Sequence, residues 1–156
     1  MAPSVLEEEA DKYGVFQGAV GFPTVHWFGW HDDFRVMAFE LLGPSLEDLF
    51  DFCGRRFSLK TTLMIVNQLL ARIEHLHARG VVHRDINPRN FLMGTGPKGN
   101  QVYVADLGLV TEYSTTCVGT TETASQRPRL STTKFASIRE HEGRGMLDSR
   151  SRAARR

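Results

Sequence analysis

Three side chains in the middle of the chain stand at intervals suited to moving a phosphoryl group. Asp85 lies in the run His83-Arg84-Asp85-Ile86-Asn87-Pro88-Arg89-Asn90, Asn90 follows five residues on, and Asp106 opens Asp106-Leu107-Gly108. A phosphoryl group in transfer carries charge spread over its oxygens, so catalysis is mostly positioning and neutralisation by hard, oxygen-bound cations. Carboxylates and amides are the natural magnesium ligands, and a loop carboxylate can accept the proton of an attacking hydroxyl. On that chemistry Asp85 is the proton acceptor, while Asn90 and Asp106 hold magnesium. The competing reading, a chance triplet on a surface loop, is opposed by the residues on both sides.

Those neighbours must bring the three together. Val81-Val82 reads as a short strand before the loop, Asn90–Met93 as a second and Val102–Val104 as a third. The last two form a hairpin through Gly94-Thr95-Gly96-Pro97-Lys98-Gly99-Asn100, which is rich in turn-forming residues, and so set Asn90 and Asp106 at one edge close to Asp85. Upstream, Thr24–Trp30 and Phe34–Glu40 are β-rich runs parted by His31-Asp32-Asp33, a hairpin. The longest helix begins after Ser58 as N-cap, repeats Leu59, Leu63, Val66, Leu70 and Ile73 at three- and four-residue spacing, and stops at Gly80.

Composition excludes several classes. With 41% apolar and 24% charged residues the chain is globular rather than disordered. It has no apolar run long enough to span a bilayer and no signal-peptide pattern. Cys53 and Cys117 lack metal-ligand spacing and suit reduced thiols, which points to an intracellular, cytoplasmic or nuclear protein. His75 and His77 are two residues apart, on different helical faces, so they make no metal site. The threonine- and serine-rich stretch from Thr111 to Thr133 reads as a polar loop.

The surroundings of the triplet resemble the casein kinase 1 family of serine/threonine kinases. The resemblance rests on Leu41-Leu42-Gly43-Pro44-Ser45-Leu46-Glu47-Asp48-Leu49-Phe50, on Phe57-Ser58-Leu59-Lys60-Thr61 and on Asn90-Phe91-Leu92-Met93-Gly94. It runs from about residue 7 to about residue 143, with Gln17-Gly18 and Val20-Gly21-Phe22-Pro23 near its start and Phe135-Ala136-Ser137-Ile138 near its end. It implies an incomplete α+β, protein-kinase-like fold. Residues 1–40 would be part of the small lobe, with its third helix and a β-hairpin. Residues 41–143 would be the hinge and the first part of the helical large lobe, and 144–156 a disordered basic tail.

The resemblance also implies the activity: transfer of the ATP γ-phosphate, with Mg2+, to Ser or Thr of acidic or already phosphorylated protein substrates. Phe39 would be the gatekeeper, the Glu40 carbonyl and Leu42 amide would face adenine, and Leu92 would lie beneath it. Glu9, with Glu7 and Glu8 as neighbouring alternatives, matches the helix glutamate that pairs with a phosphate-binding lysine. Lys134 matches a substrate-anion position, with Arg127 and Arg129 as weaker candidates. Residues 1–50 carry nine Asp/Glu against two Lys/Arg, a net of −7, so a total of +1 leaves +8 on the remainder, part of it in the tail. A basic substrate face fits acidic substrates. Neither a specific nucleic acid nor a membrane span is implied.

Departures from the family set limits. The glycine-rich loop and the strand lysine have no counterpart, and after Gly143 the family pattern stops, so the chain reads as cut at both ends. Asn87 stands where the family has a lysine two residues after the loop aspartate; it would hydrogen-bond a phosphate without bringing charge, and a lysine there should raise activity. Leu107 replaces a phenylalanine, and Arg89 a smaller or acidic residue. Losing one preorganised donor costs on the order of 3 kcal/mol in transition-state stabilisation. Two readings stay open, an active kinase and a non-catalytic relic or interaction module. The stripe Leu59, Leu63, Val66, Leu70, Ile73 should be partly uncovered, which predicts self-association.

Overall fold

The computed structural model describes residues 5–112, 133–135 and 138. Helix α1 (Val5–Val15) leads through a glycine-containing turn to the hairpin β1 (Val25–His31) and β2 (Phe34–Phe39). An extended segment follows, then α2 (Leu46–Phe52) and the long α3 (Leu59–Ala78). Short strands β3 (Val81–Val82), β4 (Phe91–Met93), β5 (Val102–Val104) and β6 (Thr111–Glu112) complete the described order, with single 3-10 turns at Pro88–Asn90, Gly96–Lys98 and Thr133–Phe135.

Local chemistry accounts for the helix ends. Ser58 caps α3 by accepting from Thr61 N–H, and at the far end Gly80 takes a φ of 73°, a left-handed value that suits a residue without Cβ. The start of α2 is a reciprocal capping box. Ser45 Oγ accepts from Asp48 N–H, while Asp48 Oδ2 accepts from Ser45 N–H at 3.0 Å and from its hydroxyl at 2.6 Å. These bonds hold the Asp48 carboxyl below the usual carboxylate range.

The small strands form three separate pairs: β1 with β2, β4 with β5, and β3 with β6, all antiparallel. The β4–β5 hairpin, like β1–β2, is one the sequence predicts. Its outer edge is closed by side chains from one face of α3: Gln68 Oε1 accepts from Val102 N–H at 2.9 Å, and one turn on, Arg72 Nε donates to Val102 O at 3.2 Å. Arg72 fits because Gly21, at φ 83°, has no side chain; a Cβ there would lie 1.8 Å from Arg72 Nε. The carbonyl of Gly21 also accepts from Val104 N–H at 2.8 Å.

The core gathers Tyr13, Phe16 and Phe22 from the α1 region with Leu76, Val81, Phe91, Val102, Val104, Leu107 and Val110. Phe16 and Phe22 stack at 4.7 Å. Beneath this core the stripe of α3 divides. Ile73 packs against it, whereas Leu59, Leu63, Val66 and Leu70 are exposed, as the sequence predicts. No helix among the described residues is long and apolar enough to cross a membrane.

Candidate functional site

The two loops that carry the candidate residues are pinned to each other at both ends. The loop 83–90 runs from β3 to β4, and the segment 105–110 runs from β5 to β6. Because β4 pairs with β5 and β3 with β6, each loop leaves and re-enters the fold beside the other. The Asn90 carbonyl extends the first pairing by accepting from Ala105 N–H at 2.8 Å, which puts Asn90 next to the residue preceding Asp106. Arg84 Nη1 strengthens the second by donating to Thr111 Oγ1 at 3.0 Å.

Within this frame Asp85 is buried and held by amides. Asn87 Nδ2 and Asn90 Nδ2 each donate to Asp85 Oδ2 at 2.8 Å, and Asn90 Nδ2 also reaches the Asp85 carbonyl at 3.0 Å. The Asp85 N–H points to His83 Nδ1 at 3.3 Å. His83 is fully buried, and desolvation holds its ring below the usual imidazole range despite the opposing charges of Asp106 and Asp85. Its Nε2 has no hydrogen-bond partner among the described residues.

Arg84 and Asp106 both adopt left-handed backbone, at φ 66° and 58°. For side-chain-bearing residues such geometry costs about 1–3 kcal/mol and persists where the surroundings enforce it. Asp106 itself is exposed, and its Oδ1 accepts from Gly108 N–H at 3.3 Å. Leu107, by contrast, is fully buried, so the turn sends one side chain inward and its neighbour outward.

Helix α1 grips this turn. Lys12 Nζ donates to the Gly108 carbonyl at 3.1 Å, and the Glu9 carboxyl lies beside the Leu107–Gly108 backbone. Burial, and then the charge of Asp106, push the Glu9 carboxyl above its ordinary range. Tyr13, four residues on, is raised chiefly by burial and next by Glu9. Of the three neighbouring glutamates, Glu9 is therefore the one at the site; Glu7 instead pairs with Arg35 on β2 at 2.9 Å. The resemblance singles out Glu9 among the three, whereas the contact of Lys12 is not legible in the sequence, since one lysine on a helix does not say which way its face turns.

Residues 40–45, which the sequence resemblance assigns to a hinge, lie at the other end of β4. Gly43 N–H donates to Met93 O at 2.7 Å, Met93 N–H to Pro44 O at 2.9 Å, and Ser45 bridges to Leu92, so residues 43–45 run as a companion strand to β4. The turn of the β4–β5 hairpin adds two fastenings, Thr95 Oγ1 to the Leu41 carbonyl at 3.1 Å and Lys98 Nζ to Glu40 Oε1 at 2.9 Å. Lys98 thereby holds the Glu40 carboxyl below its usual range. The Glu40 carbonyl and Leu42 N–H take no hydrogen bond among the described residues.

Lys134 is exposed on the turn Thr133–Phe135, its ammonium 5.1 Å from the Phe135 ring centroid. Arg127, Arg129, Cys117 and the tail 144–156 lie outside the described residues. No cluster of three His, Cys, Asp or Glu that could hold a metal is found among the described residues. The oxygen donors that suit magnesium are a pair, the Asp106 carboxylate and the Asn90 amide. With Asn90 Nδ2 committed to Asp85, its amide oxygen is the atom left to meet a hard cation. The sequence model of the protein kinase domain matches residues 24–127, more than half of the chain and both loops of the site.

Proposed function

Because the chain belongs to the protein kinase domain family, we propose that it is a serine/threonine kinase of casein kinase 1 type, acting on acidic or already phosphorylated protein substrates. Protein kinase domains use ATP and magnesium; ATP supplies the transferable γ-phosphoryl group, and magnesium neutralises the charge on its phosphates. Asp85 accepts the proton of the substrate hydroxyl, while Asn90 and Asp106 bind the metal. The Glu40 carbonyl and Leu42 N–H, left over after Thr95 and Gly43 engage the hinge, suit the donor and acceptor edge of adenine, with Leu92 on the adjoining strand as its floor. Exposed Lys134 supports an anion-binding role toward the substrate.

The observation that carries this reading is the buried Asp85 carboxylate, held by the Asn90 amide, with the Asp106 turn fixed alongside through Ala105 and Asn90. A second reading, a kinase-shaped interaction module without turnover, is favoured by two features. Position 87 brings no charge where the family has a lysine, and Arg89 beside Asn90 stands where the family has a small or acidic residue. Incubating the chain with labelled ATP, magnesium and casein separates the two. Transfer that disappears in both Asp85→Asn and Asp106→Asn supports the kinase, and its absence in the unaltered chain supports the module.

A further inference from the structure

We infer that Asn87 is a positioning residue for Asp85 and not a ligand of the transferred phosphate, an inference whose functional meaning rests on the kinase reading above. Both ends of its amide are already engaged. Nδ2 donates to Asp85 Oδ2 at 2.8 Å, and Oδ1 accepts from Arg89 N–H at 2.9 Å, capping the 3-10 turn Pro88–Asn90. Only 4% of the residue is exposed. To reach a phosphate it would have to withdraw one of the two amide donors on a buried carboxylate and uncap the turn, giving up one charge-assisted hydrogen bond and one cap.

This double duty explains why an amide stands here. Aspartate would keep the cap but set a second carboxylate against Asp85 in place of a donor. Lysine keeps a donor but has no acceptor for Arg89 N–H, and its ammonium would occupy a buried position. Alanine loses both bonds. Asn90 places its own Nδ2 on the same oxygen, so Asp85 Oδ2 receives two N–H groups from opposite ends of the 3-10 turn. That pair fixes the rotamer of the carboxylate, and a proton acceptor must sit within hydrogen-bond reach of the hydroxyl it serves. The sequence suggests that a lysine at position 87 should raise activity; the geometry points the other way.

Two measurements test this on the full chain. In spectra of the 15N-labelled protein, the Asn87 side-chain amide signals, identified by their loss in Asn87→Asp, should shift in Asp85→Ala and stay in place in Asp106→Ala. In casein phosphorylation, Asn87→Ala and Asn87→Asp should each lower kcat by about ten- to a hundredfold, the range given by one charge-assisted bond, with KM for ATP unchanged within about twofold. Asn87→Lys should lower kcat as well. Asn87→Asp keeps the cap, so it reports on the contact with Asp85 even if Asn87→Ala unfolds. Wild-type turnover in Asn87→Asp, a gain in Asn87→Lys, or a raised KM for ATP at constant kcat would each overturn the inference. If the unaltered chain shows no transfer, the kinase reading fails, and the amide signals alone decide: insensitivity to Asp85→Ala rejects the contact.

Discussion

Asn90 Nδ2 bonds both the backbone carbonyl and the Oδ2 of Asp85, at 3.0 and 2.8 Å, so one amide fixes the peptide and the carboxylate of the same residue. Replacing it by aspartate should be worse than losing it. Asn90→Asp sets a like charge against a buried carboxylate, and Asn90→Ala only leaves that carboxylate short of a donor. Urea unfolding should show Asn90→Ala less stable by about 1–3 kcal/mol and Asn90→Asp less stable still. Equal stability of the two variants would mean that the contact with Asp85 is not electrostatically significant.

His83 should make the chain acid-sensitive. Burial lowers its folded-state pKa below the ordinary value of 6.5, so between the two values the unfolded chain binds more protons. Stability is therefore present above pH 6.5 and lost as pH falls towards the folded pKa. His75 is shifted in the same direction, chiefly by desolvation, and contributes to the same slope. In His83→Phe the slope of unfolding free energy below pH 6.5 should become shallower without vanishing. An unchanged slope would show that His83 is not the titrating group.

The Glu40–Lys98 pair fastens the segment after β2 to the β4–β5 turn, and its pH window follows from opposite shifts. Glu40 is lowered chiefly by its bond to Lys98, so its contribution is present above pH 4.5 and lost as pH falls through the folded value. Lys98 is raised by the same bond, so its contribution is present below pH 10.5 and lost above its folded value. The Lys98 ammonium is more than half exposed, so salt screens the pair and its effect on stability should be small. Lys98→Ala should instead show in nucleotide binding, with a weaker affinity for ATP whose difference from the unaltered chain shrinks at high salt.

Strong local signals made much of this architecture legible. Ser58, the apolar spacing of Leu63 to Ile73 and Gly80 mark α3, and turn residues between Met93 and Val102 mark the β4–β5 hairpin. Ser45 and Asp48, three residues apart, are a capping signal for α2 that the spacing alone makes readable. The pairing of β3 with β6 had no such signal, because two-residue strands carry no periodicity and their contact spans some thirty positions. The candidate triplet is legible by residue type and spacing, whereas the inward turn of Asn87 is not. An amide in place of a lysine reads as a weakened phosphate ligand until the cap at Arg89 N–H and the bond to Asp85 are seen together.

Gly21 and Gly54 offer a paired test of why a glycine is needed. Both have positive φ, 83° and 66°, so alanine is conformationally unfavourable at either. At Gly54 nothing lies within 4 Å of an added Cβ, whereas at Gly21 the methyl would collide with Arg72, whose Nε closes the edge of β5. Gly54→Ala should cost about 1 kcal/mol, the conformational penalty alone. Gly21→Ala should cost more, about 2–4 kcal/mol, as Arg72 gives up Val102 O. Chemical denaturation of the two variants measures the gap, and a Gly21→Ala loss no larger than that at Gly54 would show that Arg72 relocates freely.

The exposed part of α3 should govern behaviour in solution. Leu59, Leu63 and Leu70 are more than half exposed on one helix, and burying each such side chain is worth about 1.5–3 kcal/mol. A stripe of this kind favours association through the uncovered face. At rising concentration the chain should self-associate and bind a hydrophobic dye. Leu63→Lys combined with Leu70→Lys should reduce both, and should spare the secondary structure because neither residue belongs to the core cluster. Sedimentation and dye fluorescence provide the check: a monomer without dye binding in the unaltered chain would mean that the stripe is covered in solution, and association unaffected by the double change would place the contact elsewhere, the exposed aromatics of β1 and β2 being the next candidates.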